Sequence, residues 1–127
     1  MSDANYSKIK NMSPLFVVTD LERSIEFYTK QLGFNIDFLY EDFYAGIVKD
    51  GFSIHLKLGT PFVEEKKSKR INESIDITFL VDDVEKLFEE FSNKPIEIIQ
   101  PLRQMPYGKE FYITDLDGYI LSYLSVE

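Results

Sequence analysis

The chain predicts an α+β fold: two βαβββ modules whose curved mixed sheets pair into an eight-stranded cup, with the helices outside. Three observations predict it. The stretch VTDLERSIEFYTKQLGF, Val18 to Phe34, passes from an apolar strand through a polar cap and an amphipathic helix to a glycine stop. It returns in shorter form as VDDVEKLFEEF, Val81 to Phe91, where Asp83 stands for Asp20, Val84 for Leu21, Glu85 for Glu22 and Lys86 for Arg23. DGFSIHL, Asp50 to Leu56, likewise returns as DGYILSY, Asp117 to Tyr123. Two copies of a strand–helix–three-strand unit can bury one face of each sheet beneath the helices. Module one covers about residues 12–59, a linker about 60–73, and module two about 74–126.

Each element has a local reason. Met1 to Asn11 is a polar arm. Leu15 to Val18 is a short apolar strand, with Pro14 at its start, where a missing amide does least harm. Thr19 with Glu22, and Asp82 with Glu85, have capping-box spacing; Asp20 and Asp83 are the alternative caps. Leu21, Ile25, Tyr28 and Leu32 then share a helical face, as do Val84, Leu87, Phe88 and Phe91. Gly33 suits a left-handed position past the first helix, and Asn93 with Pro95 ends the second. Phe34, Ile36, Phe38 and Tyr40 alternate with Asn35, Asp37 and Leu39, the pattern of a half-buried strand. Phe43 to Lys49 is the next strand, and Asp50-Gly51 marks a two-residue hairpin. Beyond it Phe52, Ile54, Leu56 and Leu58 alternate with Ser53, His55 and Lys57. The apolar set is expected on the helix and His55 on the opposite face.

Gly59 to Glu73 has no clear period and carries the run from Glu64 to Arg70, read as a solvated linker whose length also suits a long crossing or lid. Ile75 to Val81 and Ile96 to Ile99 are strands. Phe111 to Thr114 and Tyr119 to Leu124 form a closing hairpin, turned at Asp117-Gly118. The repeat sets His55 against Ser122. It also sets Ser13 against Asp76, each the same distance before its cap-region aspartate.

Composition narrows the function. At 127 residues the chain is long enough for one domain with a real core. The net charge of −8 disfavours nucleic-acid backbones and anionic membranes, and mildly favours neutral or cationic ligands. Aromatics reach 15%, with 11 Phe and 8 Tyr, enough for stacking surfaces as well as a core. No cysteine is present, which excludes disulfides, thiolate metal sites and cysteine catalysis. No apolar run approaches the roughly 20 residues of a membrane span. A cytoplasmic location is the default expectation.

Taken together, VTDLERSIEFYTKQLGF, VDDVEKL and PYGKEFYITDLDGYILSY (106–123) resemble the vicinal oxygen chelate superfamily, which includes glyoxalase I, extradiol dioxygenases, fosfomycin-resistance enzymes and bleomycin-resistance proteins. The last run resembles the family's closing hairpin with its aspartate-proline-aspartate-glycine turn, the proline being Leu116 here. The resemblance covers nearly all of Met12 to Val126. Metal-dependent members carry His, Gln or Glu ligands at four strand positions, which fall here on Ser13, His55, Asp76 and Ser122. Only His55 is a usual ligand. A catalytic ion normally keeps about three protein ligands, and this chain offers two at best. The departure resembles the metal-free bleomycin-resistance-like branch, whose members are homodimers that sequester a drug.

The resemblance therefore implies a metal-free, homodimeric protein that buries an aromatic or amphipathic small molecule, with no cofactor and no assigned catalytic residue. The expected ligand-binding residues are His55, Asp76, Ser13 and Ser122 in the cup, and Tyr44, Arg103 and Tyr107 in or near loops at its mouth. Tyr40, Tyr112 and Tyr123 are further stacking candidates, although packing alone accounts for tyrosines in such a sheet. Two alternatives stay open. One is a divergent metal-dependent lyase, isomerase or dioxygenase, which would need a further acid such as Glu110 reaching His55 and Asp76. The other is a non-catalytic dimeric interaction module whose cup is filled by its own aromatics.

Overall fold

The computed structural model describes residues 7–61, 69 and 71–127. Among the described residues, two four-stranded mixed sheets each carry one helix of the repeat, and no ladder joins the sheets, which remain open. The first sheet holds β1 (Leu15–Val18), β2 (Asn35–Tyr40), β3 (Tyr44–Lys49) and β4 (Phe52–Leu58), in the order β1-β4-β3-β2. The second holds β5 (Ile77–Leu80), β6 (Glu97–Met105), β7 (Gly108–Thr114) and β8 (Ile120–Val126), in the order β5-β8-β7-β6. Each first strand runs parallel to its sheet's last, and the remaining pairs are antiparallel. The repeat read from the sequence is therefore a repeat of topology.

The helices differ from one another. The first is α-helical only over α1 (Leu21–Glu26), then widens into a π-helical stretch, Phe27–Gln31. Its buried residues Leu21, Ser24, Phe27 and Tyr28 follow that change of pitch. The second, α2 (Val84–Ser92), is regular and buries Val84 and Phe91. The caps are Asp20 and Asp83, each accepting from the amide three residues on, Arg23 and Lys86, at 3.0 and 3.1 Å. The residue at the reciprocal position is thus basic, so the capping-box alternative does not form. Gly33 takes a left-handed φ of +82°, but Asn93 ends α2 at φ −98°, an ordinary right-handed stop.

Two further expectations are corrected. β2 is exposed at all six positions instead of half-buried, because its alternation is broken: Ile36 pairs with Ile47 but Phe38 pairs with Gly46. The bulge between them moves Phe38 and Tyr40 to the face opposite Phe34. β6 runs on through Pro101 to Met105, longer than Ile96 to Ile99, since an edge strand with register shifts tolerates proline. The closing hairpin turns where expected, β7 ending at Thr114 and β8 starting at Ile120 with Gly118 at positive φ, and Asp50 and Gly51, both at positive φ, form the tight turn expected.

One apolar core serves both sheets. It includes Phe16, Val18, Ala45, Ile47, Ile54 and Leu56 from the first and Phe111, Ile113, Leu121 and Tyr123 from the second. Phe79, Tyr123 and Phe111 stack in series, with centroid spacings of 4.9 and 5.3 Å, and Phe91 meets Tyr123 edge-on. The halves are tied at the 115–119 turn. Phe16 lies flat on Tyr119 at 4.3 Å, and the Tyr119 hydroxyl donates to the Val17 carbonyl at 2.9 Å. Asp117 accepts from the Thr19 amide and hydroxyl, and Tyr28 donates to Asp115 at 2.6 Å. The Asp115 carboxyl is pushed up to about 6 by its burial, which outweighs the hydrogen bonds from Tyr28 and two backbone amides.

Candidate functional site

The core claims one face of the first sheet, so the other face is left to solvent. Strand register shows what lies on it. Leu15, His55, Gly46 and Phe38 form one row across all four strands, and Val17, Lys57, Tyr44 and Tyr40 the next. Alternation along β4 puts Ile54 and Leu56 in the core and His55 on the open side, half-buried. The Tyr44 hydroxyl is hydrogen-bonded to His55 Nδ1 at 2.8 Å. Phe38 meets the imidazole edge-on at 5.3 Å and stacks near Tyr44 at 6.1 Å. Glycine at position 46 makes this possible: a Cβ there would sit inside the Phe38 ring. Leu15, Phe38 and Tyr40 are 50%, 38% and 59% exposed, so this is an open aromatic surface. Ser13 joins it through a hydroxyl contact with Ser53, which also accepts from the Asn11 amide group at 3.2 Å.

On the second sheet the equivalent rows are Thr78, Ser122, Tyr112 and Gln100, then Leu80, Leu124, Glu110 and Arg103. This face is largely closed: Ile120, Ser122, Tyr112, Glu110 and Thr114 are all buried. Two described residues from the segment between the sheets lie against it. Lys69, expected in a solvated run, is buried, and its ammonium is 2.5 Å from Asp76 and 3.3 Å from the Gly118 carbonyl. The other basic residues of that run, Lys66, Lys67 and Arg70, lie outside the described residues. Glu73 contacts Arg103.

Arg103 sits on β6 and not in a loop, whereas Tyr107 occupies the turn between β6 and β7. Arg103 donates from Nε and one terminal nitrogen to Glu110 at 2.9 and 2.6 Å, and lies over the Tyr112 ring at 5.3 Å. Tyr107 and Tyr112 donate to the same carboxylate at 2.5 and 2.9 Å. Burial alone would raise Glu110, but the bonds from Tyr107, Arg103 and Tyr112 bring it below its ordinary value. The bond to Glu110 holds Arg103 well above the usual guanidinium range, and burial followed by that carboxylate pushes Tyr112 up to about 12. Glu110, considered only as an acid for His55, is instead the anchor of Arg103.

The candidate residues therefore fall into groups. His55 and Tyr44 come together, with Ser13 on the same face. Arg103 and Tyr107 come together through Glu110. Asp76 is taken by Lys69 and by the Ile120 amide at 2.8 Å, and Ser122 lies buried in its row. Tyr123 is core. Ser13, His55, Asp76 and Ser122, expected at the metal positions by resemblance, offer one imidazole, two hydroxyls and a carboxylate already engaged. Among the described residues no three His, Cys, Asp or Glu side chains converge as a metal site requires. These residues do not fit a divalent ion. Phe38 escaped the sequence reading because the bulge hid its face, which only the pairing with Gly46 reveals.

Two βαβββ units with open mixed sheets define the class of this protein as α+β. The chain belongs to the glyoxalase/bleomycin resistance protein/dioxygenase superfamily, whose family model matches residues 12–123. No match was found among curated proteins. Several solved structures share the fold. The bleomycin-binding protein from Streptomyces verticillus, complexed with copper(II)-bleomycin, is 20% identical with a TM-score of 0.69, over 95% of this chain and 99% of its own. TnmS3, an antibiotic-binding protein from Streptomyces sp. CB03234, is 16% identical with a TM-score of 0.73, over 95% and 100%. The fosfomycin resistance protein FosX from Listeria monocytogenes is 14% identical with a TM-score of 0.71, over 95% and 96%. Among the described residues no helix is long and apolar enough to cross a membrane.

Proposed function

We propose that this protein is a metal-free binder that sequesters an aromatic or amphipathic small molecule on its sheet faces. The observation that carries the reading is the open patch of Phe38 and His55 in one row with Tyr44 in the next, an aromatic platform with one hydrogen-bonding edge. Aromatic faces offset-stack with planar ligands, and such pairs contribute about 0.5–1.5 kcal/mol beyond the area they bury. The unsuitable metal donors and the antibiotic-binding relatives of the same fold support it. His55, Tyr44 and Ser13 are the contacts proposed on the first sheet, with Arg103 and Tyr107 on the second. Asp76 and Ser122 are proposed only as lining. A homodimer belongs to the same reading, because β2 is an exposed edge strand with an apolar face and a second copy would cover both.

The test is a thermal-shift and tyrosine-fluorescence screen of planar aromatic drugs, cationic and neutral, against the wild type and His55→Ala. Binding that weakens several-fold in the variant is expected. Stoichiometric transition metal in the purified protein, with turnover lost on chelation, would refute the reading. Sedimentation at micromolar concentration that shows only monomer removes the dimer from it.

A further inference from the structure

Arg103 presents two edges of one guanidinium to two very different carboxylates. The Nε edge is satisfied by buried Glu110 at 2.6 and 2.9 Å. The terminal fork faces outward to Glu73, whose carboxylate lies at 3.3–3.4 Å in a shared, two-oxygen approach. The Glu73 side chain is 50% exposed against 4% for Glu110. The inner pair is a short charge-assisted bond; the outer one is long and solvated, the kind that contributes little to stability. Glu73 also holds a left-handed backbone, φ +50°, which a non-glycine residue disfavours. The guanidinium is thus rigidly aimed by Glu110 and by the Tyr112 hydroxyl, which accepts from one terminal nitrogen at 3.1 Å, and its outward fork meets Glu73 and, from the other terminal nitrogen, the Gln100 amide oxygen at 3.4 Å, both long contacts. Beside it the Tyr107 ring is 45% exposed, with its hydroxyl fixed on Glu110.

We propose that the outward fork of Arg103 is a carboxylate-binding site for a small aromatic acid, with Tyr107 beneath the ring, and that Glu73 is its built-in placeholder. The planar fork matches a carboxylate with two parallel hydrogen bonds, which a neutral amide or alcohol cannot supply. Exchange of Glu73 for a ligand carboxylate leaves the charge at the fork unchanged, so an acidic protein can take an anionic ligand there. The displaced glutamate swings into water, where its charge is solvated. The inference rests on the reading that this protein takes up small aromatic molecules, and it narrows the ligand from the neutral or cationic class that net charge alone suggested.

Benzoate and benzamide, equal in shape and different in charge, are titrated into the wild type, Glu73→Gln and Arg103→Lys, with the Arg103 Nε–H and Tyr107 resonances followed by NMR. Benzoate is expected to shift both resonances and benzamide to bind at least tenfold more weakly. Removing a tethered surface competitor is expected to tighten benzoate by roughly two- to five-fold in Glu73→Gln, with benzamide unmoved. Arg103→Lys keeps a cation over Glu110 and is expected to lose the preference for benzoate. Equal binding of the two probes, or benzoate affinity unchanged by Glu73→Gln, overturns this inference and leaves the sequestration reading standing. Failure of both probes on every variant, together with a negative drug screen, removes both.

Discussion

Replacing Asp115 by Asn tests the joint between the two halves of the molecule. Asp115 Oδ1 accepts from the Asp117 and Tyr119 amides at 3.0 and 2.9 Å, and Oδ2 accepts from Tyr28. Burial raises its pKa from 3.8 to about 6, because the charged form loses water that three hydrogen bonds do not fully replace. A carboxyl whose folded pKa is raised binds its proton more tightly folded than unfolded. Its favourable contribution is complete below pH 3.8 and is lost as pH rises through about 6. A shift of about 2 units corresponds to roughly 3 kcal/mol. Asn keeps the two amide bonds but does not titrate, and it leaves the Tyr28 hydroxyl without its acceptor, at about 1 kcal/mol. Urea unfolding of both proteins by circular dichroism, at half-unit steps from pH 4 to 7, gives the difference in stability. Dilute protein is needed, since the pI is near 4.7. Relative to the variant, wild type is expected to lose roughly 2 kcal/mol between pH 4 and 7, the rest of the contribution lying below that range. A difference that stays flat over those pH values refutes the account.

Three further outcomes are expected. Asp20→Ala removes the acceptor for the Arg23 amide and is expected to cost about 1 kcal/mol in urea unfolding, with Asp20→Asn near neutral. Gly46→Ala places a methyl group inside the Phe38 ring, so Phe38 is expected to leave the row. The chain has a single histidine, and its ring-proton NMR resonances are expected to shift as the edge-on contact is lost while the fold persists. Exhaustive chelation is expected to leave both melting temperature and ligand affinity unchanged; a drop in either on metal removal argues for a bound ion.

The sequence alone determined the repeat, the class of fold and the side of β4 on which His55 lies, and it narrowed each helix start to two neighbouring polar residues, between which the structure chose Asp20 and Asp83. These depend on local chemistry: period, capping residues, and the demand of Asp50-Gly51 for positive φ. It also showed that Ser13, His55, Asp76 and Ser122, the positions the resemblance implies for a metal, are a poor donor set, because donor identity needs no geometry. Tertiary structure decided the rest. The β2 bulge chose the face of Phe38, and no period of two can reveal an inserted residue. The burial of Lys69 against Asp76 depends on a segment without a pattern of its own. The pairing of Arg103 with Glu110 joins neighbouring strands, and the role of each charge there is set by which one the sheet buries. Propensity is written residue by residue, whereas burial and partner choice are properties of the packed whole, so the partners of these charges became legible only once the strands were in register.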